Sequence, residues 1–250
     1  MGDDNLKRNR FYLSIIVIIF LTTLIIGGFY LYAGDYYQAD SIAVEALASD
    51  MKVNISTSGN KIIFMPQNIE IDTGLIFYPG GKVEYSAYAP LIRKIAEEGY
   101  ICVVVKMPFN LAVFDINSAT GVIKEHEEIE NWYLAGHSLG GAMASKYVIN
   151  NHVNINGLIL LGAYPPSDLS SLNIEVMSIY GSEDKIMDID NFQRGRGYMP
   201  ENYTEVLISG GNHAQFGNYG VQDGDGIASI STSEQQEVTA QNIINFMNNK

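Results

Sequence analysis

Asn131-Trp132-Tyr133-Leu134-Ala135-Gly136-His137-Ser138-Leu139-Gly140-Gly141-Ala142-Met143-Ala144-Ser145 decides the fold of this chain. Trp132 to Ala135 is a short apolar run of the kind that forms a buried strand. Gly136-His137-Ser138-Leu139-Gly140 then matches the pattern G-x-S-x-G, and small residues follow within a helix-compatible run to Asn150. Strand, sharp turn and helix in that order make a nucleophile elbow, in which strained backbone pushes a serine hydroxyl out of the fold. Gly136 and Gly140 flank the serine where a side chain would clash as strand and helix close up. The helix N-terminus offers unpaired N–H groups and a positive dipole end to a developing oxyanion.

Outward from this stretch, the chain alternates apolar strands with helical patterns. Residues 74–78, 101–105, 157–162, 176–180 and 204–208 read as further buried strands. Residues 85–98, 118–130 and 139–150 read as helices, and a last helix starts at Ser233 with Gln236 placed for a capping box. This order predicts an α/β fold with a mostly parallel central sheet and helices on both faces. Residues 52–56 and 61–65, around Ser58-Gly59-Asn60, predict an N-terminal hairpin ahead of it.

At 250 residues with 47% apolar side chains, the chain suits one sizeable core plus an appendage. Residues 11–33 form an uncharged run rich in Ile, Leu and Val, long enough at about 34 Å of helix to span a bilayer. Lys7, Arg8 and Arg10 precede it, so the positive-inside rule puts a tail of residues 1–10 in the cytoplasm and the rest outside the cell membrane. Tyr30, Tyr32, Tyr36 and Tyr37 mark the exit as an interfacial belt. A cleaved signal peptide with Leu31-Tyr32-Ala33 at its site fits less well, because the run is long and large residues crowd the exit. The expected organisation is tail 1–10, single transmembrane anchor 11–33, linker 34–50 with a brief helix over 41–48, and domain 51–250. Beyond Ala33 the chain carries 12 basic and 26 acidic side chains, a net charge of −14. That acidity excludes a nucleic-acid partner, which needs a basic face. The lone Cys102 sits within an apolar strand and forms no internal disulfide.

A serine needs a base and an orienting acid to become a nucleophile. Of four histidines, His126 lies on a charged helix face, His137 points away from Ser138, and His152 ends a helix. His213 follows the last strand in Gly211-Asn212-His213-Ala214, at a strand C-terminal end where open α/β sheets place their sites. The acid lies between them: Asp184, in Tyr180-Gly181-Ser182-Glu183-Asp184, with Glu183, Asp188 and Asp190 as rivals. The order Ser138, Asp184, His213 is that of an α/β-hydrolase triad. One oxyanion donor is the N–H of Leu139. The other comes from Tyr78-Pro79-Gly80-Gly81-Lys82-Val83, through Gly81 or Lys82. No metal or other cofactor is called for; the Gly220–Gly226 stretch lacks the later ligands of a calcium loop. Arg194-Gly195-Arg196 reads as a solvated loop.

Residues 73–248 resemble the α/β-hydrolase superfamily, most closely the bacterial membrane-anchored group called alpha/beta hydrolase fold-5, related to dienelactone hydrolases. The resemblance rests on Phe77–Val83, on 106–112, on Gly136–Gly141, on Tyr180–Asp184 and on Gly211–Gly217. It implies hydrolysis of esters, thioesters or amides. Dienelactone hydrolases use cysteine where this chain has Ser138, so their lactone chemistry does not carry over. The expected substrate is a small-molecule ester or related acyl compound. The alternatives are an amidase, peptidase or acyltransferase of the cell envelope, or a non-catalytic scaffold on the same fold. The loop 107–112 is expected to line the substrate pocket. With only residues 163–173 between two strands, no lid domain fits and the site should be open.

Overall fold

The computed structural model describes residues 2–248; Met1, residues 249–250 and the side chains of residues 2–7, Lys7 among them, lie outside it. The described chain forms two compact units that divide between Tyr36 and Tyr37. The first is one helix, α1 (Gly2–Gly34), whose Arg8–Gly34 portion is long and apolar enough to cross a membrane.

The second unit is built on an eight-stranded sheet in the order β1-β2-β4-β3-β5-β6-β7-β8. β1 (Val53–Ser58) and β2 (Lys61–Pro66) are the antiparallel hairpin the sequence predicts, and β2 pairs antiparallel with β4 (Ile101–Val105). β3 (Thr73–Tyr78), β5 (Asn131–His137), β6 (Gly157–Leu161), β7 (Glu175–Gly181) and β8 (Tyr203–Ile208) run parallel with β4. The central strands are uninterrupted apolar runs because helices cover both faces, so both members of each alternating pair are buried. Leu75, Phe77, Tyr133, Ala135 and Ile159 point to one face. There they meet Leu91, Ile92 and Ile95 of α3 (Ala89–Ala96) and Ile243 and Met247 of α7 (Thr232–Asn248). Ile76, Leu134, Leu158 and Leu160 point to the other. There they meet Val122 of α4 (Ser118–Glu125) and Met143, Ala144 and Tyr147 of α5 (Leu139–Asn151). Each fully buried aliphatic side chain contributes on the order of 1.5–3 kcal/mol, so the two layers fix the register of every strand. Cys102 is wholly buried, and desolvation pushes its thiol far above the ordinary range, so it packs as an inert hydrophobe.

Local elements depart from the sequence expectations in four places. The helix expected over 85–98 opens as a 3-10 turn, Tyr85–Tyr88, before α3 begins. The helix expected over 118–130 ends at Glu125, and His126 turns to pair with Glu128. The cap of α7 is Ser231 with Glu234, two residues before the expected pair: Glu234 N–H donates to Ser231 Oγ, and Ser231 N–H donates to the Glu234 carboxylate at 2.8 Å. Gln236 is instead buried and donates to Asn218 Oδ1. A short helix, α6 (Ile189–Gly195), occupies the stretch expected to be loop, and Arg196 beyond it pairs with Glu205.

Residues from Tyr37 onward are bonded into the sheet domain. Tyr37 N–H donates to Lys82 O, and Glu84 N–H donates to Tyr37 O. Asp40 caps the short helix α2 (Ser41–Glu45) and accepts from Asn218.

Candidate active site

The parallel strands β3 to β8 bring the loops at their C-terminal ends to one edge. β3 lies between β4 and β5, so the chain leaves it in one direction and returns on its other side. That reversal is the crevice where open α/β sheets bind ligands. The turn after β3 and the elbow after β5 are therefore neighbours, with Tyr78 in register with Gly136.

Ser138 sits between β5 and α5 with φ 51° and ψ −121°, a conformation costly for any residue with a Cβ and held here by the close approach of the flanking Gly136 and Gly140 backbones. A Cβ on Gly140 would stand 2.2 Å from Tyr78 O, and one on Gly136 would stand 2.5 Å from Gly140 C. Both positions exclude every residue but glycine, as expected from the sequence. Ser138 N–H donates to Leu161 O, which extends the β5–β6 pairing into the turn.

Asp184 and His213 come from the ends of adjacent strands, β7 and β8, and their side chains are almost completely buried. His213 Nδ1 lies 2.8 Å from Asp184 Oδ2. The other carboxylate oxygen accepts Ile186 N–H at 3.0 Å and Met187 N–H at 2.8 Å, which fixes the direction of the group. A carboxylate only accepts, so the proton of this pair sits on Nδ1. Nε2 is left as a lone pair with no protein partner among the described residues. The rivals do other work: Asp188 caps α6 through Asn191 N–H, and Glu183 accepts from Ser182.

Gly162, which the sequence reading passed over, forms the floor under this pair. Its φ is +51°, and a Cβ there would lie 2.9 Å from His213 Nδ1 and 3.1 Å from Asp184 Oδ2. Tyr88 was missed from sequence, and His137 was read there only as pointing away from Ser138. Both are buried, and Tyr88 Oη lies 2.8 Å from His137 Nδ1 while accepting Gly80 N–H at 2.9 Å. The His137 ring packs 4.5 Å from the His213 ring, centroid to centroid, on the side away from Ser138. Burial, and then the nearby His213, hold the His137 imidazole well below its ordinary pKa, so it is neutral.

The two positions considered for the second oxyanion donor differ. Lys82 has φ 59°, and its N–H donates to Asn110 O at 2.8 Å. Gly81 N–H has no acceptor among the described residues, and the Leu139 side chain packs directly against this glycine. Leu139 N–H is in the first turn of α5, where backbone donors have no helical partner.

Ser138 and His213 share a cavity of about 380 Å³ whose other walls are Leu139, Ala142, Gly162, Ala163, Tyr164, Pro166, Ile186, Met187 and Asp188. Loop 107–112, expected to line it, does not. β4 lies on the far side of β3, and this loop instead supports the Gly81–Lys82 turn through the Asn110 carbonyl. The walls come from residues 162–166 after β6 and 186–188 after β7; 162–174 contains neither helix nor strand. Among the described residues, no cluster of His, Cys, Asp and Glu is arranged to hold a metal ion.

Residues 74–237 match the model of the alpha/beta hydrolase family. Solved structures share the fold. An esterase from Pyrobaculum calidifontis superposes with a TM-score of 0.60 at 14% identity, covering 82% of this chain and 88% of its own. TT1662 from Thermus thermophilus superposes with a TM-score of 0.59 at 11% identity, covering 80% of this chain and all of its own. No curated protein matches the sequence.

Proposed function

Because the chain belongs to the α/β-hydrolase family, we propose that it is a serine hydrolase acting on small apolar carboxylic esters, tethered by α1 with its domain outside the cytoplasm. The observation that carries this reading is the buried Asp184–His213 hydrogen bond opening onto the cavity that holds the strained Ser138. Nε2 of His213 takes the Ser138 proton as the hydroxyl oxygen attacks the ester carbonyl. The tetrahedral oxyanion lies between the N–H groups of Leu139 and Gly81 and the positive end of α5. Asp184 keeps the proton on Nδ1 and steadies the imidazolium. His213 then protonates the departing alkoxide, and water repeats the cycle on the acyl-enzyme. The cavity supports an uncharged, short acyl or alcohol group. Its walls are aliphatic and aromatic, and the carboxylate of Asp188 at its edge disfavours an anionic one.

Tethering rests on the length and hydropathy of the α1 segment Arg8–Gly34, and the orientation on Lys7, Arg8 and Arg10 ahead of its uncharged run 11–33. The test uses full-length protein in detergent micelles with a fluorophosphonate probe. Labelling at Ser138 that Ser138→Ala and His213→Ala both abolish is the expected result. Folded wild-type protein that stays unlabelled would make the fold a non-catalytic scaffold. An ester, amide and acyl-acceptor panel then separates esterase from amidase, peptidase or acyltransferase.

A further inference from the structure

We infer that Tyr88 and His137 are positioning residues, a buried brace that holds the Gly80–Gly81 turn in register with the nucleophile and its base. This deepens the reading of Ser138, His213 and Asp184 as a hydrolytic site, and rests on it.

The argument starts from the Tyr88 hydroxyl. It is completely buried, so each of its hydrogen-bonding capacities needs a partner. Gly80 N–H donates to it at 2.9 Å, which occupies a lone pair and leaves its own proton to place. The acceptor within reach is His137 Nδ1, at 2.8 Å. Donation in the opposite sense would leave the phenolic proton buried without a partner, whereas a proton on His137 Nε2 faces the His213 backbone. The chain of donors therefore runs from Gly80 N–H to Tyr88 Oη and from Tyr88 O–H to His137 Nδ1, and His137 carries its proton on Nε2.

Both ends of this chain touch the candidate chemistry. Gly80 precedes Gly81, whose N–H has no acceptor among the described residues and whose Cα packs against Leu139 of the elbow. A Cβ on Gly80 would stand 2.8 Å from both Tyr88 Oη and His137 Nδ1, so the turn rests directly on the brace. At the other end the His137 ring packs against His213. His137 adjoins Ser138 in the chain, but strand alternation sends its side chain to the opposite face. Thus one hydrogen-bonded pair joins the turn that receives the oxyanion to the base that moves the proton. Phe77, Phe216 and Tyr219 pack around the two rings and exclude water. A neutral His137 also spares the site a second positive charge when His213 becomes imidazolium.

Tyr88→Phe keeps the ring volume and removes the link. An oxyanion donor lost outright costs about 10²–10³ in kcat, so a donor merely loosened should cost about 10- to 100-fold. KM should stay within about threefold, since the donor acts chiefly on the transition state. His137→Asn, whose Oδ1 can stand where Nδ1 stood, should restore most of the rate; His137→Leu should not. The Tyr88→Phe/His137→Leu pair should be no slower than the slower single variant, because both cut one connection.

A second readout does not need activity. Hydrogen–deuterium exchange of the full-length protein should show the backbone amides of residues 79–83 exchanging faster in Tyr88→Phe, with strands β5 and β6 unchanged. Wild-type kcat in folded Tyr88→Phe, or a slowed variant whose 79–83 exchange is unaltered, would overturn the brace. If the wild type itself proved unreactive, the hydrolase reading would fall, and the exchange data alone would decide whether the brace exists.

Discussion

Gly162→Ala separates site geometry from stability. The substitution adds one methyl group at φ +51°, where L side chains are strained by about 1–2 kcal/mol. The added Cβ would stand 2.9 Å from His213 Nδ1 and 3.1 Å from Asp184 Oδ2. Ordinary contacts lie near 3.5–4.0 Å, so the histidine must retreat by roughly 0.5 Å. It has little room: its side chain is only 1% exposed, Asp184 is pinned by Ile186 and Met187, and His137 lies behind it. The strain should lower Tm by about 2–8 °C, at about 2–4 °C per kcal/mol for a domain of this size. A misplacement near 1 Å at a reacting group costs about 10²-fold, so kcat should fall by roughly 10- to 100-fold. The assay is hydrolysis of p-nitrophenyl acetate beside the fluorophosphonate labelling rate at Ser138, on protein shown by circular dichroism to be folded. A folded Gly162→Ala protein with wild-type rates would refute the placement of the Asp184–His213 pair over this glycine.

Three further outcomes follow from the same geometry. Ala142→Phe fills part of the 380 Å³ cavity; kcat/KM for a hexanoate ester should drop more than about tenfold relative to acetate, and an equal drop for both would move the acyl group elsewhere. His137 is neutral in the fold because burial and then His213 depress its pKa, whereas in the unfolded chain it takes a proton below about pH 6.5. Its contribution is therefore complete above that pH and is lost on acidification at about 1.4 kcal/mol per unit; urea titrations from pH 7 to 5 should show a shallower acid limb in His137→Asn, and parallel limbs would contradict a neutral native imidazole. Because Tyr37 bonds to Lys82 and Glu84 on either side of Val83, a chain starting at Ser41 should lose about tenfold in kcat compared with one starting at Asp35, and equal rates would show that the turn holds without this segment.

How far the sequence discloses such a site depends on whether its constraints are local. The elbow was legible because its glycines answer to backbone within a few residues: Gly136 faces Gly140 across the turn itself. The strands were legible because cover on both faces leaves a continuous apolar run with no polar alternation. The acid was harder, since four carboxylates crowd residues 183–190. What distinguishes Asp184 is a turn that presents two N–H groups to one of its oxygens and aims the other at His213. Asp188, four residues on, turns to its own helix instead. The α7 cap was ambiguous for a related reason: Ser231–Glu234 and Ser233–Gln236 have the same spacing, and burial of Gln236 against Asn218 decides between them. The pocket wall was misread because loop 107–112 follows a strand, as a site loop should, but sheet order puts β3 between that strand and the elbow. The contact of Tyr88 with His137 was not legible. The two residues are 49 positions apart in sequence, and nothing in Gly136-His137-Ser138 shows that the histidine meets Tyr88 and His213. Strand alternation gives the direction of that side chain, away from Ser138; only the distant segments that carry Tyr88 and His213 give it partners. The glycines that shape the elbow are thus written beside Ser138, while Asp184, His213 and the residues packed around them are supplied by distant segments that the sheet order alone brings together.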